Sequence, residues 1–140
     1  MAKIIQLSEA SSLALHAMIL LSEEKNRPLP VKEIAARISA SEAHLAKVVQ
    51  QLSKAGLVST ARGPKGGVML AKRPEEVTYL EIYEAIEGQL QSGKCMMYQD
   101  GKCPFETCIF GSLLEGMTEE IRAKFAETRL SDHGIKNDGL

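Results

Sequence analysis

The chain of 140 residues lacks the features of several common protein classes. No apolar run approaches the roughly 18 residues that a membrane-spanning helix needs, and the longest, residues 13–21, is interrupted by His16. That run also lacks a basic leader and a small-residue cleavage site, so we expect no signal peptide, no membrane contact and a cytoplasmic location. No nucleophile–base set, phosphate-binding loop or paired carboxylates stand out, so we expect that the protein is not an enzyme.

Cysteine is scarce but concentrated in one segment. Cys95, Cys103 and Cys108 are the only three, spaced Cys-x7-Cys-x4-Cys. An odd number argues against a disulfide framework, and the missing Cys-x2-Cys pair argues against a zinc knuckle. Thiolates grouped on a loop suit an iron–sulfur cluster or zinc, and the spacing alone does not separate either from a thiol redox switch. We also expect Cys108 to begin a helix whose dipole favours its thiolate.

Three cysteines leave one position of a four-ligand site open. His16 is the best candidate for the fourth ligand, because it interrupts an apolar run and an imidazole can replace a thiolate at iron. The alternative is a histidine of the core or of an interface. Weaker candidates are Glu9, Ser12, Asp100 and His133.

The small net charge of −1 conceals an asymmetry between the two halves. Residues 1–73 carry a balance of +6, and residues 74–140 carry a balance of −7. This split indicates that the first half faces a polyanion.

Hydrophobic spacing and capping residues predict a mainly α fold with a small β-hairpin. Ser8, Ser41 and Thr78 are predicted helix caps, and Gly56 is a predicted helix end. The predicted helices are Ser8–Ser22, Val31–Ile38, Ser41–Ala55, Thr78–Glu87 and about Cys108–Thr128. We expect a DNA-binding part at residues 1–76 and a cysteine-loop and dimerisation part at residues 77–140.

Two short helices and a following basic hairpin predict a winged helix-turn-helix. Arg62 and Lys65 lie in the hairpin tip, where Gly63, Gly66 and Gly67 permit a close backbone approach. The second helix would lie in the major groove of double-stranded operator DNA. Its outward residues are Glu42, Ala43, His44, Lys47, Gln50, Gln51 and Lys54. The alternatives are a solvated helix face and an ordinary turn.

A long apolar stripe marks the last predicted helix. Its members recur at steps of three and four, and they are Phe110, Leu114, Met117, Ile121 and Phe125. A twin helix in a homodimer would bury the stripe, and packing onto the chain's own domain is the alternative.

These segments together resemble the bacterial winged-helix iron–sulfur regulators, the Rrf-type transcriptional regulators that include IscR, NsrR and RirA. The resemblance covers roughly residues 5–132, and its most specific part is Arg62–Gly67 with the following Leu70-Ala71-Lys72-Arg73-Pro74. It implies a homodimer with crossed C-terminal helices and operator binding that depends on a cluster held by the three cysteines. It further implies that Arg62 enters the minor groove and that Ser41, Ala43 and Ala46 lie near base-reading positions.

The sequence departs from the pattern of this family at three points. The cysteine spacing differs, and Gly111 and Ser12 stand where other members have a ligand histidine or carboxylate. His16 matches the ligand histidine of a redox-sensing member. The cluster type, 2Fe–2S or 4Fe–4S, therefore stays open.

Three hypotheses follow, in order of preference. The first is a dimeric DNA-binding regulator, a redox or iron sensor switched by an iron–sulfur cluster. The second keeps the DNA binding but replaces the cluster with a thiol switch or zinc. The third is an iron–sulfur or zinc carrier or small redox protein, which would show no salt-dependent DNA affinity.

Overall fold

The computed structural model describes residues 7–24, 27–91 and 104–132. Within these ranges, five α-helices accompany one two-stranded antiparallel hairpin. The elements are α1 (Glu9–Glu23), α2 (Val31–Arg37), α3 (Glu42–Lys54), β1 (Val58–Ala61), β2 (Gly67–Leu70), α4 (Tyr79–Glu87) and α5 (Leu113–Glu127). Short 3₁₀ turns follow β2 at Pro74–Glu76 and α5 at Leu130–Asp132. The predicted fold class is confirmed. No helix in the described ranges is long and apolar enough to cross a membrane.

The predicted caps of three helices are confirmed. The Oγ of Ser8 accepts from the backbone N–H of Ser11 at 3.1 Å, and the Oγ of Ser41 accepts from that of His44 at 3.3 Å. At α4, Thr78 and Glu81 exchange side-chain and backbone hydrogen bonds of 3.2 and 3.3 Å. Each bond satisfies an N–H group that the first turn of a helix leaves without an intrahelical partner.

Helix α1 lies at the centre of the core. It packs against α3, α4 and β2, and its Met18 is fully buried. Leu45 and Leu52 of α3 and Ile82 of α4 are also fully buried around it. Because burying one such side chain contributes about 1.5–3 kcal/mol, this contact fixes the position of α3 relative to α1 and α4.

The hairpin is anchored to the chain that precedes α2. Strands β1 and β2 pair from Val58 with Leu70 to Ala61 with Gly67. In addition, Leu29 and Val68 exchange backbone hydrogen bonds of 3.0 and 2.7 Å. Leu29 is thus a third, one-residue strand beside β2, and the hairpin belongs to the same unit as the helix pair.

The start of the last helix was predicted wrongly. Helix α5 begins at Leu113 rather than near Cys108, because residues 109–112 form turns and Gly111 has a φ of 59°. This left-handed conformation interrupts a helix and is cheap only for glycine. The predicted position of Cys108 at a helix N-terminus is therefore also wrong.

The apolar stripe of α5 is partly covered within the chain. Leu114 is buried, and the ring of Phe125 meets that of Tyr83 of α4 edge to face, with centroids 5.9 Å apart. The other three members are half-buried: Phe110, Met117 and Ile121. The large apolar side chains that remain more than half exposed near α5 are Phe105, Ile109 and Leu113.

Candidate nucleic-acid interface and cysteine site

Helix α3 has one buried and one exposed face. Leu45, Val48, Val49 and Leu52 are at most 5% exposed and point into the core. The opposite face carries most of the predicted DNA-contacting residues. Of these, Ser41, Glu42, Ala43, Lys47 and Gln51 are exposed, whereas His44 and Ala46 are half-buried. A helix with this division can present polar side chains to a groove while its other side holds it in place.

The first turn of α3 also contacts α1, which the sequence did not reveal. The Nδ1 atom of His44 lies 3.8 Å from a carboxylate oxygen of Glu9 in the first turn of α1. Glu9 and His44 are far apart in the chain, and no local spacing rule connects them. The backbone N–H of His44 is held by the Ser41 cap, and its ring lies near the exposed carboxylate of Glu9 at a distance too long for a hydrogen bond.

The basic side chains of α3 and of the hairpin tip differ in pairing from the two arginines near α2, Arg27 and Arg37. Lys47, Lys54, Arg62 and Lys65 are exposed and form no ion pair with any residue that the structure describes. By contrast, Arg27 just before α2 donates two hydrogen bonds, of 2.6 and 3.0 Å, to the carboxylate of Glu33. Unpaired cations are the ones available to phosphate oxygens.

The bidentate pair beside α2 changes the pKa of both partners. The hydrogen bonds from Arg27 lower the pKa of Glu33, and those same bonds raise the pKa of Arg27. The positive charge of Arg27 is therefore neutralised locally, whereas none of the described residues neutralises that of Arg62 or Lys65.

Two glycines of the hairpin have a role in the fold itself. From the sequence we expected them to allow the backbone to approach DNA closely. A Cβ atom on Gly66 would overlap the carbonyl oxygen of Ala61, and one on Gly67 would lie 2.6 Å from the carbonyl carbon of Leu29. These glycines are needed so that the hairpin closes and packs on Leu29. Gly63 differs, because no atom lies within 4 Å of the position that a Cβ would take there.

Of the three predicted cysteine ligands, the structure describes one. Cys108 is exposed, is not in a disulfide and lies in the segment before α5. Cys95 and Cys103 lie outside the described residues, as do Asp100 and His133. Within residues 7–24, 27–91 and 104–132, no three His, Cys, Asp or Glu side chains form a metal-binding group.

His16 has the hydrogen-bonding geometry of a metal ligand. It is exposed on α1, so the interpretation of His16 as a core histidine is wrong. Its Nδ1 lies 2.6 Å from the backbone carbonyl oxygen of Ser12, which can only accept, so Nδ1 carries the proton. In the neutral ring, Nε2 is then the nitrogen with the free lone pair, and metal-binding histidines are commonly oriented by such a bond to a carbonyl. The donor types of His16 and Cys108 therefore fit an iron–sulfur cluster.

A second contact that the sequence did not reveal joins α4 to α1. The carboxylate of Glu87, the last residue of α4, accepts from the backbone N–H of Ser8 at 3.3 Å. The same oxygen accepts from the hydroxyls of Ser8 and Ser11. Ser11 is fully buried, so this contact satisfies its hydroxyl.

Comparison with known proteins identifies the family. The sequence model of Rrf2, described as an iron-dependent transcriptional regulator, matches residues 7–133. The chain belongs to the Rrf2 family.

Relatives of this Rrf2 protein agree with the assignment. This chain is 36% identical over 103 residues to the transcriptional regulator NsrR of Geobacillus kaustophilus. The match covers 71% of this chain and 68% of that protein. The structure of CymR, the global cysteine regulator of B. subtilis, is similar, with a TM-score of 0.76, 26% identity, and coverage of 91% and 95% of the two chains. The structure of IscR of T. potens gives a TM-score of 0.74 and 27% identity, and covers 91% and 85%. The predicted resemblance to the family of NsrR and IscR is confirmed.

Proposed function

We propose that this Rrf2 regulator is a homodimer that binds operator DNA and whose DNA affinity is set by an iron–sulfur cluster. Cys95, Cys103 and Cys108 would hold the cluster, with His16 as the fourth ligand. The observation that carries the proposal is the combination of an unpaired basic surface on α3 and the hairpin with an exposed cysteine and an exposed, oriented histidine.

The DNA-binding part of the proposal rests on charge and exposure. Lys47 and Gln51 on α3 would face base edges or phosphates in the major groove, and Ser41, Glu42, Ala43, His44 and Ala46 surround them near the helix N-terminus. Arg62 and Lys65 at the hairpin tip would contact the adjacent minor groove or its phosphates. None of these side chains is needed to fill the core.

The cluster part rests on the chemistry of the donors and on similarity. Thiolates and a neutral imidazole nitrogen are ligands that iron–sulfur clusters accept. A bound cluster would supply a charge and a cross-link that change with iron supply and oxidation. The residues of the chain would orient the site: the Ser12 carbonyl orients His16, and Arg122 of α5 donates to the carbonyl of Leu90, which precedes the cysteine segment.

The homodimer part rests on exposed apolar side chains. Phe105, Ile109 and Leu113 are between 54% and 66% exposed, and all three lie within nine residues at the start of α5. Large apolar side chains clustered in this way are characteristic of a protein–protein contact. We propose that a second copy of the chain covers these side chains.

The two histidines of the described structure allow a matched test of the two activities. Anaerobically purified wild type should contain iron and sulfide and show cluster absorbance, and His16→Ala should change that spectrum. His44→Ala, an equal change on α3, should leave the spectrum unaltered and weaken binding to a duplex selected by the wild type from a random library. Iron-free wild type would contradict the presence of a cluster. A spectrum unaffected by Cys108→Ser and His16→Ala would contradict their role as its ligands.

A thiol switch without a cluster is the second candidate. Cys108 is exposed and not in a disulfide, and the structural similarity to a regulator described as the global cysteine regulator supports it. In this case two thiols would lose two electrons and two protons to an external oxidant such as a peroxide, forming a disulfide. Intact-mass measurement would then show a reversible loss of two mass units in metal-free protein, and DNA affinity would follow it.

A further inference from the structure

Glu87 joins two parts of the chain that the proposed function must couple. One of its two carboxylate oxygens accepts from three donors at the start of α1, namely the N–H and hydroxyl of Ser8 and the hydroxyl of Ser11. Ser8 has one hydroxyl proton, and the Ser8 oxygen also accepts from the backbone N–H of Ser11 as the helix cap. Of the two acceptors near the Ser8 hydroxyl, Glu87 is closer than the Ser11 hydroxyl at 3.3 Å, so the cap and the α4 contact form one network.

The same turn of α1 reaches α3. Glu9 follows Ser8 directly, and its carboxylate lies 3.8 Å from Nδ1 of His44. His44 is the third residue of α3, and its N–H is held by Ser41. The first turn of α1 thus lies between the end of α4 and the start of α3, and it contacts both through polar side chains.

The chain that follows Glu87 leads to the cysteine segment. Gly88 ends α4 with a φ of 81°, and Leu90 is buried with its carbonyl oxygen accepting from Arg122 of α5. The chain then enters the residues that include Cys95. Leu90, the anchored residue from which the chain continues to Cys95, lies three residues after Glu87.

We propose that Glu87 is a positioning residue that couples the cysteine segment to the first turn of α3 through Ser8, Ser11 and Glu9. When the segment after α4 changes, Glu87 shifts the first turn of α1, and Glu9 then alters the placement of His44. This inference rests on the proposed function, because it assumes that the cysteines control DNA binding. The inference adds a route by which the cysteines control DNA binding. This route lies within one chain and does not require a residue of α1 to bind the cluster.

The test measures coupling rather than affinity alone. The probe is a duplex selected by the wild type from a random library, and its Kd is measured for anaerobic cluster-loaded protein and for protein stripped by a chelator. We expect the two wild-type values to differ by about tenfold. Glu87→Ala should bring their ratio to within about twofold of one, whereas Glu84→Ala, one turn earlier on α4, should keep the wild-type ratio.

A conservative variant separates positioning from folding. Glu87→Gln retains an acceptor oxygen for Ser8 and Ser11, so it should restore part of the ratio that Glu87→Ala loses. If Glu87→Ala does not fold, the comparison of Glu87→Gln with Glu84→Gln decides in its place. A ratio in the Glu87 variants equal to that of the Glu84 variants and the wild type would overturn the proposal.

Hydrogen exchange distinguishes this failure from a failure of the proposed function. In stripped protein, Glu87→Ala should speed amide exchange in residues 8–13 and also in residues 41–47, and it should leave the hairpin at residues 58–70 unchanged. If the wild-type Kd ratio is itself one, the proposed cluster control fails, and exchange alone decides the positioning role. Faster exchange at residues 41–47 would then support that role, and unchanged exchange there would refute it.

Discussion

Replacing Gly67 by alanine should release the hairpin from the rest of the DNA-binding unit. Gly67 has a φ of 152°, and an added Cβ would lie 2.6, 2.7 and 2.8 Å from the carbonyl carbon of Leu29, its oxygen and the backbone nitrogen of Pro30. These are backbone atoms, so no side-chain rotation can relieve the overlap. The strand pairing of Leu29 with Val68, with hydrogen bonds of 3.0 and 2.7 Å, must therefore open or shift.

The size of the effect follows from two contributions. A positive φ in a residue with a Cβ costs on the order of 1–3 kcal/mol, and each lost backbone hydrogen bond costs about 1 kcal/mol. We expect Gly67→Ala to lower the free energy of unfolding by about 3–5 kcal/mol, a large part of the ~5–15 kcal/mol of a typical domain. At roughly 2–4 °C per kcal/mol, Tm should fall by about 10 °C.

Gly63→Ala is the matched control within the same hairpin. Gly63 also has a positive φ, 104°, but its Cβ position has no atom within 4 Å. It should therefore lose only the conformational part, on the order of 1–3 kcal/mol, and keep the two hydrogen bonds to Leu29, worth about 2 kcal/mol. Thermal unfolding followed by circular dichroism measures both variants. Equal Tm values for Gly67→Ala and Gly63→Ala would refute the claim that contact with Leu29 requires the glycine.

Three further predictions concern a helix cap, the DNA surface and alkaline stability. Ser41→Ala removes the side-chain cap of α3 and should destabilise the protein by about 1 kcal/mol, whereas Ser53→Ala on the exposed face of α3 should not. Equal free energies of unfolding in urea for the two variants would show that the cap is unimportant. Arg62→Ala should reduce the slope of log DNA affinity against log salt concentration by about 1, and Lys124→Ala on α5 should leave that slope intact. A wild-type slope for Arg62→Ala would exclude Arg62 from the interface. Burial raises the pKa of Tyr79 above 10.0, so its contribution to stability is complete below pH 10 and is lost as pH rises through the folded-state pKa. Tyr79→Phe should therefore weaken the alkaline loss of stability, and an identical pH profile would contradict this.

Local signals accounted for most of the predicted fold. Ser8, Ser41 and Thr78 each cap the helix that follows them, because capping depends on residues within one turn. The start of α5 was wrong because the apolar spacing from Phe110 to Phe125 continues across Gly111. Spacing reports which side chains share a face, and it does not report that one glycine has left the helical conformation.

Long-range contacts could not be predicted from the sequence. The bond from Ser11 to Glu87 and the pairing of Leu29 with Val68 each join distant parts of the chain. Nothing in the local sequence of Glu87 distinguishes a carboxylate that binds another helix from one in water. The chemical candidates at the site, such as His16 and Cys108, could be named because their residue types are rare in this chain, but the bond of His16 to the Ser12 carbonyl required coordinates.

The central position of α1 has a consequence for how such a regulator can diversify. Most of its surface is buried against other elements, and the exposed positions Glu9, His16 and Glu23 recur at intervals of seven residues along one strip. Seven residues are close to two helical turns, so these side chains lie in a line above a core that they do not fill. Substitutions on this strip can exchange one donor chemistry for another without disturbing the packing beneath. The fold thus permits the proposed ligand chemistry on α1 to evolve separately from the stability of the domain.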